Sequence, residues 1–179
     1  VLDVFQRADF SPQTLNQLGF VKNAPVGAMF SYRYAGIDNE GFSLIKDTEG
    51  NLYRTNVNNL GNAVTALMAQ ENSGVAYATG SSLPTVNAGL SNRFDIGNFY
   101  IYAMLNYYGG FNVRVPRPNP ASARPLEGSG NFWMAPGDEN QTDVMGLPAY
   151  SSANSNNAYN FADSYVVHGD YITLGDLTV

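Results

Sequence analysis

The sequence has 179 residues, with 9 Lys and Arg against 15 Asp and Glu and a formal net charge of −6. Charged residues make up 13%, well under the usual share of about 25%, while 12 Tyr and 10 Phe bring the aromatics to 13%. Disorder is excluded by the aromatic content. Phosphate-led nucleic-acid binding is excluded by the lack of a Lys/Arg cluster. Cysteine is absent and His168 is the single histidine, which removes disulfides, Cys-ligated zinc, thiol nucleophiles and multi-His metal sites. No apolar run reaches the ~18 residues of a membrane helix. Val1-Leu2-Asp3-Val4 lacks the basic start and apolar core of a signal peptide. With no initiator Met, the chain is expected to be a piece of something longer.

In chain order, Ser11 to Gly19 predicts a short helix, with Ser11 as N-cap, Pro12 in the first turn and Gly19 as stop. Met29 to Ala35 predicts a strand with Phe30, Tyr32 and Tyr34 on one face. Phe42–Lys46 and Leu52–Thr55 flank Asp47-Thr48-Glu49-Gly50-Asn51 and predict a hairpin. Leu60, Val64, Leu67 and Met68 recur at helical spacing, which predicts a helix within 58–70.

The clearest β pattern follows. Val86–Phe94 and Phe99–Tyr108 predict an antiparallel hairpin across Asp95–Asn98. In the second run Phe99, Ile101, Ala103, Leu105 and Tyr107 alternate with Tyr100, Tyr102, Met104, Asn106 and Tyr108. One face is apolar and the other bonds to water. A run of about 10 residues suits a tilted membrane strand, which needs ~9–11; soluble strands average ~5–6.

Residues 111–160 read as one long irregular loop. The prolines of Arg114-Val115-Pro116-Arg117-Pro118-Asn119-Pro120 exclude a central strand, and Ser151 to Asn157 is a polar low-complexity tract. So long a loop is foreign to a compact domain and suits the outside of a barrel. Tyr165–His168 and Tyr171–Val179 then predict a hairpin across Gly169-Asp170, with a bulge at Gly175-Asp176.

No catalytic constellation stands out. His168-Gly169-Asp170 reads as a turn, since acid–base chemistry needs a converging partner set. Asp138 to Asp143 lacks the Gly and the final acid of an EF-hand loop and reads as solvated. No cofactor is expected. Tyr100, Tyr102, Tyr108, Trp133 and Tyr150 are the candidate ligand-binding residues, because flat rings stack on sugars; the competing role for each is packing or an interfacial girdle.

Four blocks in order carry a resemblance: Pro25–Asp38, Lys46–Asn51, Gly80–Tyr102 and Ser164–Val179. Together they resemble the C-terminal third of the SusC/RagA family of TonB-dependent outer-membrane transporters. His168, Gly175 and Asp176 depart from the family's usual residues there. Phe132-Trp133-Met134-Ala135-Pro136-Gly137-Asp138 is similar to a further family stretch but lacks a basic residue often found in it. The resemblance implies an all-β chain. Residues 1–179 would be a segment of a large antiparallel transmembrane β-barrel of about 22 strands, with long extracellular loops, 111–160 among them, and one or two short helices. It implies no enzyme, but import of oligosaccharides or peptides across the outer membrane of a Gram-negative bacterium. Expected partners are a SusD-like surface lipoprotein, outer-membrane lipid, the transported substrate, and the TonB complex through an N-terminal part outside this sequence; nucleic acid is not among them. The alternatives are a soluble secreted β-rich carbohydrate-binding module and, weakest, a surface hydrolase fragment.

Overall fold

The computed structural model describes residues 12–18, 24–54, 74–121, 131–150 and 158–179. The predicted helix within 58–70, the flanks Ser11 and Gly19, and the tract 151–157 lie outside them. The described residues fold as short strands and very short helices, in keeping with an all-β chain. A helix α1 spans Pro12–Leu18. Strands β1 (Ala28–Tyr32), β2 (Tyr34–Ile37), β3 (Ser43–Lys46), β4 (Leu52–Arg54) and β5 (Ala76–Ser81) follow. Two long strands come next, β6 (Val86–Ile96) and β7 (Phe99–Gly109), then β8 (Asn112–Arg114). A single helical turn α2 (Leu147–Tyr150) precedes β9 (Val166–His168) and β10 (Tyr171–Thr178).

Two regions differ in kind. The first is a sheet in the order β10–β7–β6, antiparallel throughout. Its register pairs Ile96 with Phe99, Leu90 with Leu105 and Val86 with Gly109. β6 and β7 turn over only Gly97 and Asn98, so the strands run two residues further than the sequence pattern predicts. Gly97 takes φ of 62° at the first turn position, the left-handed geometry that a two-residue hairpin turn requires. The bulge expected at Gly175-Asp176 is present: Leu174 pairs with Leu105 and Asp176 with Met104, leaving Gly175 as the extra residue.

The second region is a lobe built from short sheets, β1–β5, β2–β3–β4 and β8–β9. The predicted strand 29–35 breaks at Arg33. Its N–H donates to Val75 O at 2.9 Å and its carbonyl accepts from Lys46 N at 3.0 Å, which hands the chain from β1 to β2. Phe30 and Tyr32 are buried, but so is Ser31 between them; the lobe covers both faces of β1. The β3–β4 hairpin forms as predicted. One core cluster gathers Tyr32, Ile45, Val75 and Ala158, and a second Ile37, Met145, Ala149 and Tyr159. Residues of 131–150 thus supply core to the lobe, although their backbone is largely irregular.

The predicted hairpin between 165–168 and 171–179 does not form. β9 pairs with β8, and β10 pairs with β7. Gly169-Asp170 is the passage from lobe to long sheet. The Asp170 carboxylate accepts from Gly110 N at 3.0 Å and from the Tyr107 hydroxyl at 2.9 Å, which fixes the end of β7 against the start of β10.

Candidate functional site

The long sheet has two chemically distinct faces. Cross-strand pairing puts Phe94, Ile96, Phe99, Ile101, Leu90, Leu105 and Val86 on one face, joined from β10 by Ile172, Leu174 and Leu177. These side chains are exposed: Phe99 at 75%, Ile172 at 68% and Leu90 at 65%. A contiguous apolar band this long does not stay in water without a partner. The opposite face carries Asn87, Ser91, Arg93, Asp95, Tyr100, Tyr102, Met104, Asn106 and Tyr108, with Tyr171, Thr173, Asp176 and Thr178 from β10. Strict alternation along 11-residue strands places every second residue on each side.

The polar face is internally ordered. Near the Gly97-Asn98 turn, Arg93 pairs with Asp95 at 2.7 Å and lies 4.4 Å over the Tyr100 ring. At the lobe end Tyr108 and Tyr171 stack with centroids 5.1 Å apart, and Phe111 meets Tyr171 edge-on at 6.0 Å. Between them Asn106 lies beside two glycines. A Cβ on Gly175 would stand 2.7 Å from the Asn106 amide nitrogen, and one on Gly89 would stand 3.5 Å from its oxygen. The bulge therefore leaves the space that this amide fills.

Of the residues singled out from sequence, Tyr100, Tyr102 and Tyr108 share this polar face. Trp133 and Tyr150 stand apart, in the lobe. Trp133 packs against the second core cluster, as does Tyr150. The Trp133 ring lies where a Cβ on Gly41 or Gly146 would come within 2.6 or 2.8 Å of it, and its indole N–H donates to Glu139 at 3.3 Å. Tyr150 meets the Tyr159 ring edge-on at 6.1 Å.

The lobe is pinned by two arginines that the sequence pattern did not mark. Arg117 is buried, with its guanidinium over three rings: Tyr159 at 3.9 Å, Tyr165 at 4.0 Å and Tyr34 at 4.4 Å. It donates to the Asp143 carboxylate at 2.6 Å and to Tyr159 O at 3.3 Å. Three rings and an ion pair offset the cost of burying the charge. Burial pushes the Tyr34 hydroxyl up to about 12 and raises Tyr159 as well. Arg114 donates to Ala162 O and Phe30 O, both at 2.9 Å, and to the Ser31 hydroxyl at 2.7 Å. Asp163 accepts from Tyr34 N at 3.0 Å and from the Tyr77 hydroxyl at 2.9 Å. The only sequence signal for Arg117 was its place among prolines, which told of strand breaking rather than of a buried cation.

Among the described residues no group of three or more His, Asp or Glu is placed to hold a metal ion. His168 ends β9 exposed to solvent. No helix of the described residues is long and apolar enough to cross a membrane.

No family model matches the chain, and no curated protein matches it. A solved structure does. The chain is similar in fold to part of the RagAB peptide importer in its closed-closed state, with a TM-score of 0.52 and 20% identity over 84% of this chain. The match spans 16% of that importer chain's length. At this identity the likeness is one of fold, and it covers both the long sheet and much of the lobe's extent.

Proposed function

We propose that this chain is a segment of a large transmembrane β-barrel importer of the outer membrane. The observation that carries the reading is the two-faced long sheet. Its apolar band fits lipid, its polar face fits a water-filled or protein-filled lumen, and its strand length fits a bilayer crossed at a tilt. The free edges of β6 and β10 call for further strands, because an open edge in hydrocarbon leaves backbone groups unsatisfied. The fold likeness to part of a peptide importer supports the same reading. A soluble binding module would leave the apolar band in water.

The finer reading rests on the resemblance of the four sequence blocks. Import is driven through TonB, the substrate is an oligosaccharide or peptide, and a SusD-like surface lipoprotein works beside the barrel. The chain transports rather than catalyses. Gly97-Asn98 then faces the periplasm, since such barrels keep short turns there, and the lobe faces outward. The test is uptake by cells carrying the complete chain. Labelled oligosaccharide or peptide is expected to enter, and to stop entering when TonB is deleted. A complete chain that fractionates away from the outer membrane, or uptake indifferent to its deletion, contradicts the proposal.

A further inference from the structure

The lobe holds a cleft of about 420 Å³ between the turn-rich segment 131–144 and Tyr165, within the ~300–1,000 Å³ typical of small-ligand sites. Its walls carry Asn131, Asn140, Gln141, Thr142 and Asp143 beside the Tyr165 ring. We infer that this cleft binds a neutral sugar unit of the transported molecule. The inference rests on the importer reading and narrows its substrate to a saccharide.

Three features decide for a sugar. The first is the state of the acids. Asp143 is already paired with the buried Arg117. Glu139 turns Oε2 back to Gly137 N at 2.7 Å and to the Trp133 indole. Neither carboxylate is left to pair with a cationic side chain. The second is the backbone. A peptide is recognised along an open strand edge, but here the N–H groups are used within the segment. Trp133 N donates to Val144 O, Gln141 N and Thr142 N to Asp138 O, and Val144 N to the Thr142 hydroxyl. The third is what remains available. No described residue holds the side-chain amides of Asn131 or Gln141, and each offers two donors and an acceptor. Vicinal hydroxyls donate and accept in the same way, while the C–H face of a pyranose suits a flat ring. Tyr165 is held in place by Arg117, 4.0 Å from its ring.

The experiment titrates the complete chain in detergent with two sets of probes. One set is neutral tetrasaccharides of α-glucan, β-glucan, xylan and mannan; the other is tetrapeptides bearing Lys, Ala or Glu. At least one tetrasaccharide is expected to bind. Asn131→Ala and Gln141→Ala, both exposed positions, are each expected to weaken it about tenfold, as loss of the hydrogen bonds of one amide implies. Raising the salt from about 50 to about 500 mM is expected to change affinity less than about twofold, since no charge is engaged. Binding of peptides alone, saccharide binding unchanged in both variants, or no saccharide binding to a chain that inserts normally in the outer membrane would each overturn the inference and leave the importer reading standing. Saccharide binding that needs Asn131 and Gln141, in a chain that never reaches the membrane, would uphold the cleft and defeat the importer.

Discussion

The long sheet and the lobe are made from one chain but held together in opposite ways. The lobe has short strands of 3 to 6 residues, and its stability comes from side chains: two apolar clusters, the Arg117 cage and the Arg114 clasp. The sheet has strands of 8 and 11 residues, and every residue of β6 is exposed. Its order comes from backbone ladders and cross-strand pairs. The contrast teaches that the two regions are built for different solvents. The lobe excludes water by itself, whereas the apolar band of the sheet needs lipid to do so.

The largest break expected in the sheet is a charge in the apolar band. Ile101→Arg should cost about 2–4 kcal/mol of folding free energy in a bilayer, if it lies near the midplane. Ser91→Arg, on the polar face, should cost much less. Reversible folding of the complete chain into vesicles measures both, and equal penalties would erase the distinction between the faces.

In the lobe the corresponding break is Asp143→Ala. It leaves the Arg117 guanidinium buried without its carboxylate and should cost about 3 kcal/mol, at the low end for such pairs because three rings and the Tyr159 carbonyl still face the cation. Arg117→Met with Asp143→Ala should recover part of that loss, since no buried charge remains. Hydrogen exchange at the amides of Tyr34 and Val144 reports the change; sheet amides should not respond.

Gly41→Ala should cost about 2 kcal/mol. The residue holds φ of 81° and its Cβ would enter the Trp133 ring, so backbone strain adds to overpacking. Thermal unfolding followed by Trp133 fluorescence measures it, and an unchanged midpoint would show that the ring can move aside.

The smallest effect is pH-dependent. The Asp47 carboxyl sits below the ordinary carboxylate range because the Asn51 side chain, the Tyr53 hydroxyl and the Asn51 and Glu49 N–H groups bond to its charged form. A depressed folded value means that stabilisation is fully present above the unfolded value of about 3.9 and fades as pH falls through the lower folded value. Exchange at the Glu49 and Asn51 amides should quicken only in that acid window, and Asp47→Asn should remove the dependence.

Much of the sheet was legible because its signals are local. Alternation along Phe99–Tyr108, the Gly97-Asn98 turn and the slip at Gly175-Asp176 all lie within a few residues of what they determine. The β3–β4 hairpin was legible for the same reason, through Asp47 and Gly50. The partners of β9 and β10 were not. Two β-rich runs around Gly169-Asp170 look like a hairpin, and nothing local reveals that β8 and β7 are the better partners. The lobe's centre was least legible. Arg117 meets Tyr34, Asp143, Tyr159 and Tyr165 only after folding, across separations of up to 83 positions that no periodicity spans. Tyr100, Tyr102 and Tyr108 were placed together by alternation alone, while Trp133 and Tyr150 were listed with them by residue type and belong elsewhere in the molecule.

The central claim is that the long sheet separates lipid from lumen. Single cysteines placed in turn from Phe99 to Tyr108, in a cysteine-free form of the complete chain in outer membranes, test it most directly. Each is offered a water-soluble, membrane-impermeant maleimide and a lipid-dissolved thiol reagent. The account predicts a period of two, with positions 101, 103 and 105 reacting from the lipid and 100, 102, 104 and 106 from water. Uniform reaction with the water-soluble reagent at both sets of positions would contradict it.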